Sequence, residues 1–188
     1  MDWIVLVICG ASGVGKSSVA RPLAVRYGVP LIEADDIVTA LLALTTPATH
    51  PALHRWQTDP DVATWDAQRI VDHTLAITAE LTAGFRAVIA DHLAFRAPMV
   101  LEGDYLTPDL VAGLDGARAV VISEPDEDLI VENLLARESG AGAQRRRARV
   151  SAFHDAALVT AADRAGVPIV RSRPFDNVLA RVEQALRG

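Results

Sequence analysis

Apolar residues in this chain fall into short unbroken blocks, separated by longer stretches where they recur every three or four positions. The blocks are Ile4 to Ile8, Pro30 to Ile32, Met99 to Leu101, Ala119 to Ile122 and Val167 to Val170. Runs so short and so continuously apolar read as strands covered on both faces, since a half-exposed strand would alternate with polar residues. The stretches between them read as helices: Ser17 to Tyr27, Ile37 to Leu44, Val62 to Ala83, Phe85 to Arg96, Asp126 to Arg137, Gln144 to Ala165 and Phe175 to Leu186. Strands alternating with helices predict an α/β fold, a parallel sheet wrapped on both sides. Pro22 falls inside the first helix and is expected to bend it or loosen its first turns. Thr45 to Asp61, with three prolines and two histidines, is the longest irregular stretch and sits where a substrate-covering segment would lie.

Composition narrows the class. At 188 residues and 51% apolar, residues 1–188 suffice for one substantial core and are read as a single domain. There is no charge-free stretch long enough to span a bilayer and no basic leader with a cleavage site, so a soluble, cytoplasmic protein without a membrane partner is expected. Cys9 is the only cysteine, which excludes a disulfide within the monomer and reads as a buried, inert thiol. A net charge of −6 argues against nucleic acid as a partner, because phosphate-backbone affinity needs a basic face. A monomer or homodimer is expected.

One lysine stands among the 18 basic side chains, and its setting is specific. Gly10-Ala11-Ser12-Gly13-Val14-Gly15-Lys16-Ser17 is a complete G-x-x-x-x-G-K-[ST] octad, fed by the first predicted strand and followed through Ser18 by the first predicted helix. Its glycines let the backbone turn tightly, so that loop amides and the helix start converge on phosphates. A slender ammonium lies along a polyphosphate under such a loop better than a planar guanidinium does. The hydroxyl of Ser17 is then placed for Mg²⁺. Residues 10–18 are thus the expected nucleotide-binding loop.

Carboxylates end the next strands. Glu33-Ala34-Asp35-Asp36 packs three acids into four residues after strand two, a costly concentration unless a cation or donors accommodate it. Asp35 or Asp36 alternatively caps the helix expected from Ile37. Strand three runs into Glu102-Gly103-Asp104-Tyr105, apolar residues terminating in acid as in a Walker B element that holds the metal or its water shell. Gly103 permits a tight exit and leaves room for substrate. After strand four, Arg137 and then Arg145, Arg146, Arg147 and Arg149 surround a Gly/Ala/Ser hinge and leave a net +4 against one glutamate. Two readings stay open there, a solvated helix start and a mobile lid over about residues 138–149 whose arginines reach a transferring phosphoryl group. Arg55, with His50 and His54 nearby, is a candidate for meeting an anionic substrate, and Trp56 and Trp65 either line that region or simply pack. The five histidines show no metal-ligand spacing.

Taken together, the octad, the acids after strand two, Glu102-Gly103-Asp104 and the arginine run resemble the small P-loop kinases related to adenylate kinase. Within them the chain resembles shikimate kinase, gluconate kinase, chloramphenicol phosphotransferase and 2-phosphoglycerate kinase-like proteins, which phosphorylate a hydroxyl of a small molecule. The resemblance implies a three-layer P-loop fold with a five-stranded parallel sheet in the order 2-3-1-4-5, an Arg-rich lid and a substrate-covering segment near residues 36–96. It also implies ATP and Mg²⁺ as cofactors. Shikimate kinase-like enzymes carry Asp-x-Asp after strand two, the first holding a water on the metal and the second contacting the reacting hydroxyl; Glu33 and Asp35 occupy that spacing. The substitution of Glu for Asp leaves direct and water-mediated metal contact both open. The Gly-Gly-Gly turn of shikimate kinases is missing, which argues against shikimate as substrate.

The resemblance further implies an arginine stacked on adenine at the lid entrance, matched by Arg137, and a base-contacting loop after the last strand, matched by Arg173. On these grounds Lys16, Asp35, Arg145 and Arg149 are expected to be catalytic. Asp35, Asp36, Arg55, Glu102 and Asp104 are expected to contact substrate, and Ser17, Glu33 and Glu102 to contact the metal. A nucleoside monophosphate kinase and a slowly hydrolysing regulatory NTPase are the alternatives. A GTPase switch lacks its Asn-Lys-x-Asp motif, since Lys16 is the only lysine, and an AAA-type motor would need a second, helical domain.

Overall fold

The computed structural model describes residues 2–187. Strands β1 (Val5–Cys9), β2 (Leu31–Glu33), β3 (Met99–Gly103), β4 (Ala117–Ser123) and β5 (Ile169–Arg171) form one sheet in the order β2-β3-β1-β4-β5. Each neighbouring pair is parallel. Parallel pairing demands a crossover between strands, and the helices supply it on both faces. Period-two alternation decides which side chains meet which layer. Leu6 and Ile8 of β1 join a cluster with Val19, Leu23, Ile130, Leu134 and Val182, whereas Val5, Val7 and Cys9 join Ile77, Leu81, Phe85, Ile89 and Leu158. The first cluster lies under α1 (Ser17–Tyr27), α5 (Glu127–Arg137) and α7 (Val178–Ala185). The second lies under α4 (Ala67–Ala94) and α6 (Arg145–Ala165), with α2 (Ala34–Leu44) and α3 (Pro51–Thr58) at its edge. Truncating a fully buried side chain such as Phe85 to alanine is worth about 3–5 kcal/mol.

Several element boundaries differ from the sequence expectation, each for a local reason. The helices expected at Val62 to Ala83 and Phe85 to Arg96 are one helix, α4, that runs through Gly84. A glycine inside a helix costs only about 1 kcal/mol, and Leu81, Phe85 and Ile89 on either side of it share one buried stripe. The segment Val62–Thr64 is instead a separate 3₁₀ turn, and Asp66 starts α4 by accepting the Arg69 amide at 2.8 Å. The stretch expected to be irregular contains α3, which opens on Pro51, a residue suited to a first turn that has no amide partner to lose. Helix α2 begins at Ala34, so Asp35 and Asp36 lie in its first turn and neither side chain caps it. Helix α1 continues past Pro22, whose side chain lies on the exposed face. Among the described residues no helix is long and apolar enough to cross a membrane.

Register fixes what comes next. Glu33 stands opposite Glu102, Glu102 opposite Ile8, and Cys9 opposite both Gly103 and Val121. The acidic strand ends and the loop leaving β1 therefore emerge at the same edge of the sheet.

Candidate active site

Two connected hollows occupy that edge. The first, about 340 Å³, lies over the octad between Gly13, Gly15, Ser18, Asn133, Arg137 and Phe175. The second, about 470 Å³, runs from Lys16 and Ser17 toward the strand ends and is lined by the acids Glu33, Asp35, Glu102 and Asp104 and by Ser12, Arg21, Arg137 and Arg147. Lys16 and Ser17 belong to both.

The octad makes an anion cradle by backbone geometry. Gly15 has φ of 102°, and a Cβ there would stand 2.9 Å from the Phe175 ring; only glycine fits both conditions. Helix α1 starts directly after it with no side-chain cap and no acid in its first turn; the Ser18 and Val19 amides donate to the Gly15 and Lys16 carbonyls at 3.1 and 2.9 Å, so the helix start presents chiefly its positive dipole end. Lys16 is 8% exposed, and its Nζ donates to the Ala11 carbonyl at 3.0 Å and pairs with Asp104. Asn133 of α5 steadies the loop by donating to the Gly13 carbonyl at 2.9 Å.

The carboxylates have distinct surroundings. Glu102 is 4% exposed; its Oε1 accepts from Ser17 Oγ at 2.8 Å, and its Oε2 is buried without a partner. Burial raises the Glu102 carboxyl above its ordinary value, against the opposing pull of Lys16 and Ser17. Asp35 keeps solvent contact, yet partial burial in the cleft, and after it the charge of Asp104, hold its carboxyl above the usual range. Tyr105 is raised first by burial and then by Asp35 and Asp104, which marks it as the neighbour of that pair. Glu33 pairs with Arg21 at 3.2 Å at the outer rim. The turn that brings Glu33 and Asp35 against β3 depends on Gly103, where a Cβ would fall 2.4 Å from that of Ala34. The space expected there for substrate is taken by Ala34.

Of the four arginines between residues 145 and 149, one side chain enters the cleft. Arg147 donates from Nη2 to Ser12 Oγ at 3.0 Å and from Nη1 to Glu138 at 3.0 and 3.1 Å. Arg137, expected at the lid entrance, lines both hollows and also binds Glu138, at 2.7 Å. Hydrogen bonds from Arg137, Gln144 and Arg147 lower the Glu138 carboxyl to about 2. The other residues of the run are elsewhere: Arg145 pairs with exposed Asp128 at 2.9 Å, and Arg149 lies 5.8 Å over the Phe153 ring. Asp36 is exposed on α2 outside the hollows, and Arg55 pairs with Asp59 at 3.2 Å beside Trp65. Arg173 binds Glu132 and Asn133 at 3.1 and 3.0 Å and stacks over Phe175, so it backs the first hollow without lining it.

Sequence reasoning did not single out Arg21, Asn133, Tyr105, Arg147 or Phe175. Only Arg147 carried a readable signal. Arg147, Ser151, His154 and Leu158 follow the i, i+4, i+7, i+11 spacing of one helix face, and the last three are buried. Arg145 and Arg149 fall outside that stripe. The same face of α6 brings in Asp155, which accepts from Ser123 Oγ at 2.8 Å and from the Glu124 amide at 3.2 Å and so ties the helix to the end of β4.

Chemically, the cleft gathers cationic donors and carboxylates around one hollow beside the octad. Its architecture is that of the P-loop phosphotransferase fold. Residues 5–160 match the AAA domain family AAA_33, and the chain belongs to that family; the match takes in the octad, both acidic strand ends and most of α6. A gluconokinase from Sinorhizobium meliloti is similar in structure over 99% of this chain and 93% of its own, with a TM-score of 0.55 and 21% identity. A sugar kinase from Janibacter is similar over 97% and 94%, with a TM-score of 0.55 and 17% identity. Shikimate kinase from Acinetobacter baumannii, in complex with shikimate, is similar over 97% and 92%, with a TM-score of 0.53 and 12% identity. A comparison with curated protein sequences gave no match.

Proposed function

We propose that this protein is a Mg²⁺- and ATP-dependent kinase that transfers the γ-phosphoryl group to a hydroxyl of a small-molecule metabolite or natural product. The observation carrying this reading is the convergence, in one cleft, of Lys16, Arg137 and Arg147 with Asp35 and Asp104. Phosphoryl transfer needs little more than positioning and charge stabilisation, and these groups supply both. The octad amides and Lys16 hold the phosphates. Arg137 and Arg147 line the same cleft and stabilise the negative charge that spreads onto the transferring group. Asp35, with its carboxyl raised toward the working range, takes the proton of the attacking hydroxyl. Phe175 and Arg137 frame the base next to the octad.

The cleft suits Mg²⁺. Ser17 Oγ and the unpartnered Glu102 Oε2 are hard oxygen donors at the octad, with Glu33 at the rim. Among the described residues no group of three or more His, Cys, Asp or Glu side chains could hold a metal by itself, as befits an ion carried in largely by phosphates and water. Bound there, the ion would neutralise phosphate charge. Lys16 would then exchange Asp104 for phosphate oxygens, leaving the Asp104 carboxylate to face the acceptor.

The test is a screen of a small-molecule pool for ATP-dependent gain of one phosphate, run with wild type and Lys16→Ala. A phosphorylated product with wild type alone is expected. ATP loss at the same rate with and without acceptors would instead favour a regulatory NTPase.

A further inference from the structure

A third hollow of about 530 Å³ opens on the far side of Arg147, between the first turn of α6 and the segment that includes α3, the 62–64 turn and the start of α4. Its character is opposite to that of the phosphate cleft. The walls are Trp56, Val62, Ile70 and Val150, and the rim is Arg145, Arg146 and Arg147. Apart from the Trp56 indole N–H, Gln144 is its one neutral polar side chain, and it is already engaged at both ends, accepting from Arg147 at 3.0 Å and donating to Glu138 at 3.1 Å. Trp56 lines the hollow and packs against two further rings, Trp65 at 5.4 Å and His73 at 5.0 Å between centroids. Arg146 reaches across to the Trp65 carbonyl at 2.7 Å, and no carboxylate pairs with it among the described residues. Arg147 lines this hollow and the phosphate cleft alike.

We propose that this groove binds the body of the acceptor, and that the acceptor is a hydroxy acid with an apolar ring: the ring on Trp56, the carboxylate on Arg146, and the hydroxyl directed past Arg147 toward Asp35. The proposal rests on the kinase reading above and adds the substrate class to it. Beyond the guanidinium edge and the Trp56 indole N–H the groove offers a polyhydroxylated chain no free partner, so hydroxyls set against Val62, Ile70 and Val150 would give up water for nothing. An apolar ring loses nothing there and gains the indole face. A guanidinium without a carboxylate partner supplies the complementary charge and, being planar, meets a carboxylate with two parallel hydrogen bonds. The volume falls within the range of sites for small molecules.

Binding and transfer are measured separately, with the protein saturated by a non-hydrolysable ATP analogue for the first and by ATP for the second. The probes are para-hydroxymethylbenzoate, mandelate and phenyllactate, with para-hydroxymethylbenzamide as the uncharged partner and gluconate as the polyol. At least one ring acid is expected to bind on the order of tenfold more tightly than the amide and gluconate, with Arg146→Gln removing the advantage over the amide and Trp56→Ala weakening the acid by a similar factor. Unchanged affinity for the ATP analogue shows that each variant is folded, and Trp56→Phe, which keeps a ring, should retain most of the affinity. Ring acids that bind no better than the amide or gluconate, or variants that leave their affinity unchanged, would overturn the proposal. The two readings fail differently: transfer to gluconate without ring-acid binding removes the groove and keeps the kinase, whereas ring-acid binding without transfer from ATP removes the kinase and keeps the groove.

Discussion

At the strand ends, Glu33, Glu102, Gly103 and the start of the octad sit side by side because parallel register aligns β2, β3 and β1. Along the first turns of α6, neighbouring arginines instead go to separate places: Arg145 to exposed Asp128, Arg146 to the Trp65 carbonyl, Arg147 into the cleft beside the octad and Arg149 onto Phe153. A sheet edge converts sequence position into spatial position almost directly, since a residue just past a strand end projects into the same crevice as its neighbours. A helix turns successive residues about 100° apart, so a dense basic run delivers only the members whose phase matches the buried stripe. Density of charge in the sequence is therefore a poor guide to charge at the site, and helical phase is a better one.

The largest effect should come from the strand-end region. Lys16→Ala is expected to lower phosphoryl transfer about a thousandfold, roughly 4 kcal/mol at the transition state, while circular dichroism stays unchanged. Retention of a tenth of the activity would separate the octad from the chemistry. Asp35→Asn should cost about a hundredfold in kcat with little change in nucleotide affinity, as loss of a proton acceptor does; calorimetric titration of nucleotide beside steady-state rates checks both halves. If this variant turns over normally, Asp104 becomes the base.

The helix region gives a sharper internal contrast. Arg147→Ala should lower kcat by about tenfold or more, whereas Arg145→Ala and Arg149→Ala should stay within about twofold, because their partners are exposed or remote from the cleft. Equal losses in all three would mean that the run closes as a body over the phosphates, and phase would lose its explanatory value.

Titration should also distinguish the regions. The Asp35 carboxyl is raised, by burial first and then by Asp104, so it protonates at a higher pH than an ordinary aspartate. Only the ionised form accepts a proton, and kcat should therefore fall with decreasing pH along a limb that lies above the usual aspartate value near 4. Asp104→Asn, which removes one of the raising charges, should move that limb to lower pH.

On α6 the buried group is His154, 5% exposed and lowered to about 4 by burial. Its folded value lies below the 6.5 of a free histidine, so the unfolded chain binds the extra proton. Stability from this group is accordingly present above about pH 6.5 and is lost as the pH falls toward 4, by up to about 3 kcal/mol. Thermal melts of wild type and His154→Gln across that window should converge at the acid end.

How much of this was legible follows the same division. The octad and the acidic strand ends were readable because they combine fixed spacing with strand boundaries that the apolar blocks mark, whereas the strand order came from the family resemblance that those motifs carry. Phe175 was not, since its place over Gly15 comes from the chain returning after β5, a contact of 160 residues' separation. Helix α3 was hidden by the three prolines of residues 45–61, although Pro51 is a helix-starting residue in context. Arg147 was present in the run but lacked distinction until its alignment with Ser151, His154 and Leu158 could be seen.

The most direct measurement is a single turnover with ATP labelled in its γ-phosphoryl group, in the presence of an acceptor found by screening, with label in the acceptor and label in free phosphate followed together. The cleft described here predicts label in the acceptor hydroxyl, a rate set by acceptor concentration and loss of both in Lys16→Ala. Label appearing only as free phosphate, at one rate with or without acceptor, would contradict the assignment of this cleft to phosphoryl transfer.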